Sequence, residues 1–248
     1  MPEDSRILDS LTQSQVEPWL IGIVKFVLAN TQAGTTPYLP EIVLRLGVDS
    51  VSLWDKIERE VNNPRAGPPY WAFAWAGGQA LARHLLDNPQ VVAGRRVLDL
   101  ASGSGLVGIA AMKAGAARAI ANDIDCLAAV AIALNAEAND VSVEANAIDL
   151  LIEGGTFDPA NVDVVLVGDG FYDHNLSPRI FRFVQRCRAA GCVVLVGDPG
   201  REDLPVQQLA KVRDYLVPVT QDCQHTAAAT GQDEDYDIRR ATVWMLEG

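Results

Sequence analysis

The sequence predicts an α/β fold: a doubly wound, mostly parallel sheet of seven strands with an N-terminal appendage. Three observations predict it. From residue 97 onward, short apolar strand-like runs alternate with helical patterns, the order of a parallel sheet with right-handed crossovers. Val97 to Leu100, Ala101 to Gly105 and the apolar run Leu106 to Ala114 read as a buried strand, a glycine turn and a helix packed on both sides. Finally, Tyr215 to Thr220 and Ala241 to Leu246 are strand-like with no convincing helix between them, so they close the sheet as an antiparallel pair.

The 248 residues, 49% of them hydrophobic, suffice for one large domain with a substantial core. Residues 1–69 are read as the appendage and 70–248 as the body of that same domain. Five tryptophans and a charged fraction of 21% exclude a disordered chain. A formal charge of −12, a pI of about 4.6 and the lack of any Lys/Arg-rich run disfavour a nucleic-acid partner. The same charge steers in a basic or lysine-bearing protein. Cys126, Cys187, Cys192 and Cys223 are scattered, as reduced thiols are in a cytoplasmic protein. The run Trp19 to Leu28 is too short for a membrane span and too far from the start for a signal peptide. His84, His174 and His225 have no Ser or Cys nucleophile beside them, which argues against a hydrolase triad. The chain is read as a monomer without a metal.

Taken in order, Met1 to Gln13 is polar and frayed, and Pro18 to Asn30 is a helix with Pro in its first turn. Thr31 to Pro40 reads as loop, Glu41 to Gly47 as an added strand, and Ser50 to Glu60 as a capped amphipathic helix. In Pro68-Pro69-Tyr70-Trp71-Ala72-Phe73-Ala74-Trp75, four aromatics crowd into six residues, too costly to expose together. Tyr70 and Phe73 are assigned to the core, and Trp75, beside Ala76 to Gly78, to the cover of a bound cofactor. A helix then runs through Leu86. Arg118 to Asn122 is the second strand of the sheet, and its end, Asn122-Asp123-Ile124-Asp125, sits across the sheet's carboxyl edge from the glycine turn. There Asp123 can grip a ribose diol, while Asp125 caps the helix Cys126 to Ala138. Val141 to Asn146 is the third strand. Asp149 just beyond it can accept a hydrogen bond from an adenine amino group or form a turn. Val162 to Val167 and Cys192 to Val196 are the fourth and fifth strands, with Ser177-Pro178 capping the helix between them and Gly191 ending it. Gln221 to Asp237 reads as a long surface loop.

Two ligand classes fit the glycine turn. Gly103, Gly105 and Gly108 satisfy G-x-G-x-x-G, with Asp123 twenty residues past the first glycine, as a nicotinamide dinucleotide asks. Against it stands Asp99 at the strand end: a carboxylate about 4 Å from a pyrophosphate costs on the order of 4 kcal/mol at an effective dielectric near 20. S-adenosyl-L-methionine carries a sulfonium and an ammonium instead, and an acidic strand end suits both. Asp99 can also simply cap loop amides.

Leu98-Asp99-Leu100-Ala101-Ser102-Gly103-Ser104-Gly105, the acidic second strand end and the two closing strands together resemble a class I, Rossmann-like seven-strand methyltransferase. Trp71 to Gln79, Asn122-Asp123-Ile124-Asp125, Gly168-Asp169-Gly170-Phe171-Tyr172-Asp173 and Gly197-Asp198-Pro199-Gly200-Arg201 are similar to the electron transfer flavoprotein β-subunit lysine methyltransferases in their bacterial form, from about residue 28 to the end. Methyltransferases of ribosomal proteins share much of the first half. The Asp-x-x-Tyr at Asp169 to Tyr172 marks the protein-lysine branch, where enzymes that methylate amino groups of nucleic acids carry Asn/Asp-Pro-Pro-Tyr. The resemblance implies S-adenosyl-L-methionine as cofactor and a protein lysine as acceptor. The cofactor-binding set is then Trp75, Asp99, Ala101, Gly103, Gly105, Asp123, Ile124 and Asp149. The catalytic pair is Asp169, capturing and orienting the lysine while its proton leaves to solvent, and Tyr172, walling the lysine channel.

Overall fold

The computed structural model describes residues 17–61, 63–64, 66–152, 154–155, 157–219 and 237–247. A two-stranded hairpin, β1 (Gln32–Thr36) and β2 (Leu39–Leu46), accompanies a main sheet of seven strands. These are β3 (Arg96–Leu100), β4 (Arg118–Asn122), β5 (Val143–Asn146), β6 (Val164–Gly168), β7 (Val193–Asp198), β8 (Leu209–Val219) and β9 (Asp237–Leu246). Their order is β5-β4-β3-β6-β7-β9-β8, parallel from β5 to β7, with β9 antiparallel to both its neighbours. The predicted seven strands and closing antiparallel pair are therefore present. Successive strands are laid down first to one side of β3 (β4, β5) and then to the other (β6, β7), and a crevice opens at that switch on the carboxyl edge.

Among the described residues six helices accompany the sheet: α1 (Pro18–Asn30), α2 (Ser50–Glu60), α3 (Ala76–Asp87), α4 (Leu106–Lys113), α5 (Cys126–Ala138) and α6 (Leu176–Ala189). Alternate residues of the central strands feed two cores. Val97, Val164, Leu166 and Leu195 pack with Ala80, Leu81 and Leu85 of α3 and Val107 and Ala111 of α4. Leu98, Val165, Val167 and Val194 pack with Ile180, Phe183 and Val184 of α6. Each such fully buried aliphatic side chain contributes about 1.5–3 kcal/mol. Among the described residues the winding is lopsided, because short 3₁₀ turns, Pro159–Asn161 and Val206–Gln208, stand where helices could cover the α6 face. Phe157 and Leu204 help fill that face instead.

Before the sheet, α1 and α2 bury Ile23, Val27, Leu53 and Ile57 against Leu127, Ala131 and Leu134 of α5, with Trp71 and Phe73 in the same cluster. Asp49 caps α2, accepting from the Val51 and Ser52 N–H groups. The stretch read as loop at 31–40 holds β1, a correction. Thr-, Gly- and Pro-rich residues hide a strand whose partner is two residues away, and the Thr36 hydroxyl accepts from Leu39 N across the turn (3.2 Å). The hairpin edge is tied to α5 by side chains: Asn139 accepts from Val43 N (3.0 Å) and donates to Val43 O (2.6 Å), and Asn135 accepts from Arg45 N (2.7 Å). Asn135 also donates to Ser104 O (2.8 Å), linking the hairpin to the glycine turn.

Two further corrections concern element ends. α6 begins at Leu176, so Ser177-Pro178 lie inside its first turn; Asp173 accepts from the N–H groups of Asn175 and Leu176 in their place. β8 starts six residues earlier than the pattern suggests, because Lys211 to Asp214 are exposed and a register shift between Lys211 and Arg213 breaks the alternation. Residues 1–13 and the predicted loop from Gln221, up to Asp237 where β9 begins, lie outside the described residues. No helix among the described residues is long and apolar enough to cross a membrane.

Candidate active site

The carboxyl ends of β3 to β7 open into one cleft of about 870 Å³, within the range of small-molecule sites. On its β3–β4 side the chain leaves β3 through Ala101 at φ 54°, Gly103 at φ 56° and Gly105 at φ 82°. A left-handed alanine costs on the order of 1 kcal/mol, which the surrounding packing must hold in place. Asp99 is fully buried beneath this turn. Its Oδ2 accepts from the Ser102 hydroxyl (2.5 Å) and from Gly108 N (2.9 Å), while Oδ1 has no partner. Burial pushes its carboxyl up to about 7, only partly offset by Ser102 and Gly108. One oxygen therefore serves the loop-capping role, and the other remains bare beside the cleft.

Asp123 faces this turn, its Oδ2 accepting from Gly103 N (2.9 Å) and Oδ1 from Asp125 N (3.0 Å). Burial raises its carboxyl too. Asp125 caps α5 as predicted, through Leu127 N (2.8 Å), and also accepts from Gly67 N (3.2 Å). Ile124 lines the cleft and is 57% exposed. Ala101, Gly103 and Trp75 line it as well, the Trp75 indole donating to Tyr70 O (2.9 Å). Asp149 is at the far end, held by Arg179 (2.8 Å) and by Leu151 N (2.9 Å), so it forms the turn and an ion pair together. Gly105 is not among the lining residues: an added Cβ would press on Ile132 at 3.2 Å, so its part is to let α4 start against α5. Gly108 of the dinucleotide-like fingerprint lies within α4 and donates to Asp99, turned away from any pyrophosphate.

The β6–β7 side is built around a backbone crossing. Parallel pairing sets Gly168 beside Gly197, and the start of α3 lies directly on them. A Cβ at Gly77 would collide with Gly197 O, and one at Gly168 would lie 2.9 Å from Gly78 Cα, so only glycines allow this approach. The crossing puts the positive end of α3 on Asp169, whose Oδ2 accepts from Gly78 N (2.5 Å). Asp169 itself is left-handed, φ 58°, and its Oδ1 is paired with Arg201 Nη1 (2.5 Å). Arg201 Nη1 also lies 3.4 Å from Asp198 Oδ2, and Asp198 Oδ1 accepts from Gly200 N and Arg201 N, both at 2.7 Å. Burial pushes the Asp169 carboxyl up, and Arg201 opposes it. Tyr172, 46% exposed, lines the cleft with its ring edge-on to Tyr70, centroids 5.2 Å apart.

Two site residues are new at this point. Tyr70 belongs to the cleft and not to the core, because the 3₁₀ turn after Pro68-Pro69 directs Trp71 inward (1% exposed) and leaves Tyr70 at 44%. Phe73 is buried, as predicted. Arg201 lies within the Gly197 to Arg201 motif, which by itself points to no role for it. Its partner Asp169 is distant in sequence, and the signal lay in pairing the two strand ends, which sets Asp169 next to Asp198.

A profile for ribosomal protein L11 methyltransferase (PrmA) matches residues 80–168, stopping just before Asp169. Whole-chain similarity lies elsewhere. The electron transfer flavoprotein beta subunit lysine methyltransferase of Xenopus laevis is 38% identical over 90% of this chain and 86% of that protein. The human protein of the same name is 38% identical over 91% of this chain and 82% of its own. The Caenorhabditis elegans homolog is 33% identical over 94% of this chain and 99% of its own. With the class I sheet order, the glycine turn and the Asp169 to Tyr172 strand end all in place, this chain belongs to the electron transfer flavoprotein beta subunit lysine methyltransferase family.

Proposed function

We propose that the chain methylates lysine side chains of the electron transfer flavoprotein β subunit, using S-adenosyl-L-methionine bound on the β3–β4 side of the cleft. The observation that carries the ligand assignment is the fully buried Oδ1 of Asp99, a carboxyl oxygen with no partner among the described residues, which a cationic ligand would draw into its ionised form. The cleft-lining cations among the described residues are Arg179, paired with Asp149, and Arg201, paired with Asp169, so Asp99 and Asp123 have none beside them. That donor set fits a cationic nucleoside and opposes a dinucleotide pyrophosphate. Asp99 would face the charged amino-acid portion, Gly103 and Ala101 would pass beneath it, Asp123 would hold the ribose diol, and Ile124 and Asp149 would border the base. When bound, S-adenosylmethionine supplies a methyl on a sulfonium that leaves as a neutral thioether.

The β6–β7 side is left for the acceptor. Tyr172 and Tyr70 wall the approach and offer ring faces to the lysine chain, and Asp169 fixes that wall to the start of α3. A lysine has a pKa near 10.4, so a proton must leave to water before its nitrogen forms the new N–C bond and the C–S electron pair stays with sulfur. Alignment accounts for most of the acceleration, up to roughly 7–11 kcal/mol in favourable cases. A ribosomal protein is the second reading: the ribosomal protein L11 methyltransferase profile matches residues 80–168, which hold the glycine turn and end before Asp169.

The test is transfer of labelled methyl from S-adenosylmethionine to purified electron transfer flavoprotein, beside a total lysate. Label on lysines of the β subunit is expected. Label confined to other lysate proteins would move the substrate, and no label anywhere would overturn the reading.

A further inference from the structure

The β6–β7 wall holds two buried acids and one guanidinium. Both oxygens of Asp169 already have donors, Gly78 N–H and Arg201, and Asp198 is occupied by Gly200 N, Arg201 N and the same guanidinium. Asp169 side-chain exposure is 8% and Arg201 is 21%, so the cation is the member of the pair that the cleft meets. An ammonium entering here meets the guanidinium first, in front of two acids whose oxygens already have donors. Resting on the reading of the chain as a lysine methyltransferase, we infer that Arg201 is a positioning residue for the acceptor: by occupying Asp169 it admits the substrate amine deprotonated and turns its ammonium away.

The other charged groups around this wall do not reverse that effect. The strand-end loops bring Tyr172 and Asp173 from β6, and Glu202 and Asp203 from beyond β7. Asp203 is paired with His174 (3.1 Å) at the exposed rim. The segment before α3 brings Tyr70, β4 brings Asp123 across the cleft, and α3 presents N–H groups. Rim acids act through water and salt and draw a lysine-bearing surface inward; Arg201 acts on the amine at contact. The ε-ammonium thus loses its proton to water on entry, and the freed lone pair then attacks the methyl. Arg201 takes no proton and forms no bond.

The experiment is the pH profile of kcat at saturating electron transfer flavoprotein, which reports ionisations in the bound complex. Asp169→Asn keeps an acceptor for Gly78 N–H and removes one of the two acids that share Arg201, leaving it Asp198 at 3.4 Å, so the midpoint moves to lower pH by about one unit. Arg201→Met bares a carboxylate and moves it up by about one unit, close to a tenfold loss on the acidic limb. The double variant returns near wild type. Melting curves with S-adenosylhomocysteine check folding, and the near-isosteric Asp169→Asn carries the test if Arg201→Met does not fold. A second readout is the proton released when the flavoprotein binds the S-adenosylhomocysteine-loaded enzyme, measured calorimetrically in two buffers near pH 8. About one proton is expected for wild type and less for Arg201→Met. Unshifted profiles and equal proton counts in folded variants would overturn the inference. Failure of the underlying reading differs, since wild type would then transfer no methyl to the flavoprotein at any pH.

Discussion

The two sides of the cleft carry similar numbers of buried acids and treat them in opposite ways. On the β3–β4 side, Asp99 and Asp123 are held by backbone N–H groups and a hydroxyl, with no cation, and Asp99 keeps one oxygen unpartnered. On the β6–β7 side, Asp169 and Asp198 share Arg201 and the start of α3. A buried carboxylate without a cation is costly, so the first pair is poised for a positively charged ligand. The second is already satisfied, and on the inference drawn above Asp169 shapes a wall instead of capturing the lysine, the role the sequence suggests for it. On the proposed function, charge pairing tells cofactor side from acceptor side, even though both are strand ends rich in Asp and Gly.

The largest expected effect breaks the acceptor side alone. Gly77→Ala forces a Cβ into Gly197 O, and such overpacking costs about 3 kcal/mol, a fall in Tm of roughly 6–12 °C. Thermal melts should show it, and an unchanged Tm would mean that α3 does not rest on the strand ends. Next, Asp99→Asn keeps the Ser102 and Gly108 hydrogen bonds but removes the charge. The affinity for S-adenosylhomocysteine, whose ammonium remains, should drop by about 1.5–3 kcal/mol in a calorimetric titration. Smaller again, Asp123→Ala removes a ribose acceptor and frees Gly103 N–H, weakening binding by about 1 kcal/mol. Unaltered affinity would remove Asp123 from the ribose.

Much of this division was legible in the sequence, and the rest was hidden for definite reasons. Buried parallel strands such as Val164 to Gly168 announce themselves as unbroken apolar runs. Their ends were correctly marked by Asp99, Asp123 and Asp169. The hairpin strand β1 was not legible, because Gln32 to Thr36 is short, Thr- and Gly-rich and mostly unburied, and it is held as a strand by pairing with β2. Tyr70 and Trp71 have the same local apolar signal, and only the 3₁₀ turn decides which faces inward. Arg201 depended on strand register: once Gly168 pairs with Gly197, the two following loops meet. Side chains that respond to a ligand can be read locally, whereas those that neutralise one another across loops need the topology.

Asp99 gives the most direct measurement. Its carboxyl, raised to about 7, is mostly protonated at pH 6 in the free protein. Because the folded value lies above the unfolded one, this group's contribution to stability is full below about pH 4 and is lost as pH rises through about 7. A cationic ligand reverses that preference by favouring the ionised form. The affinity for S-adenosylhomocysteine should therefore tighten about tenfold between pH 6 and pH 8, and Asp99→Asn should flatten the dependence. A flat profile in the wild type, or one that Asp99→Asn leaves unchanged, would contradict the assignment of the bare acid to a cationic ligand.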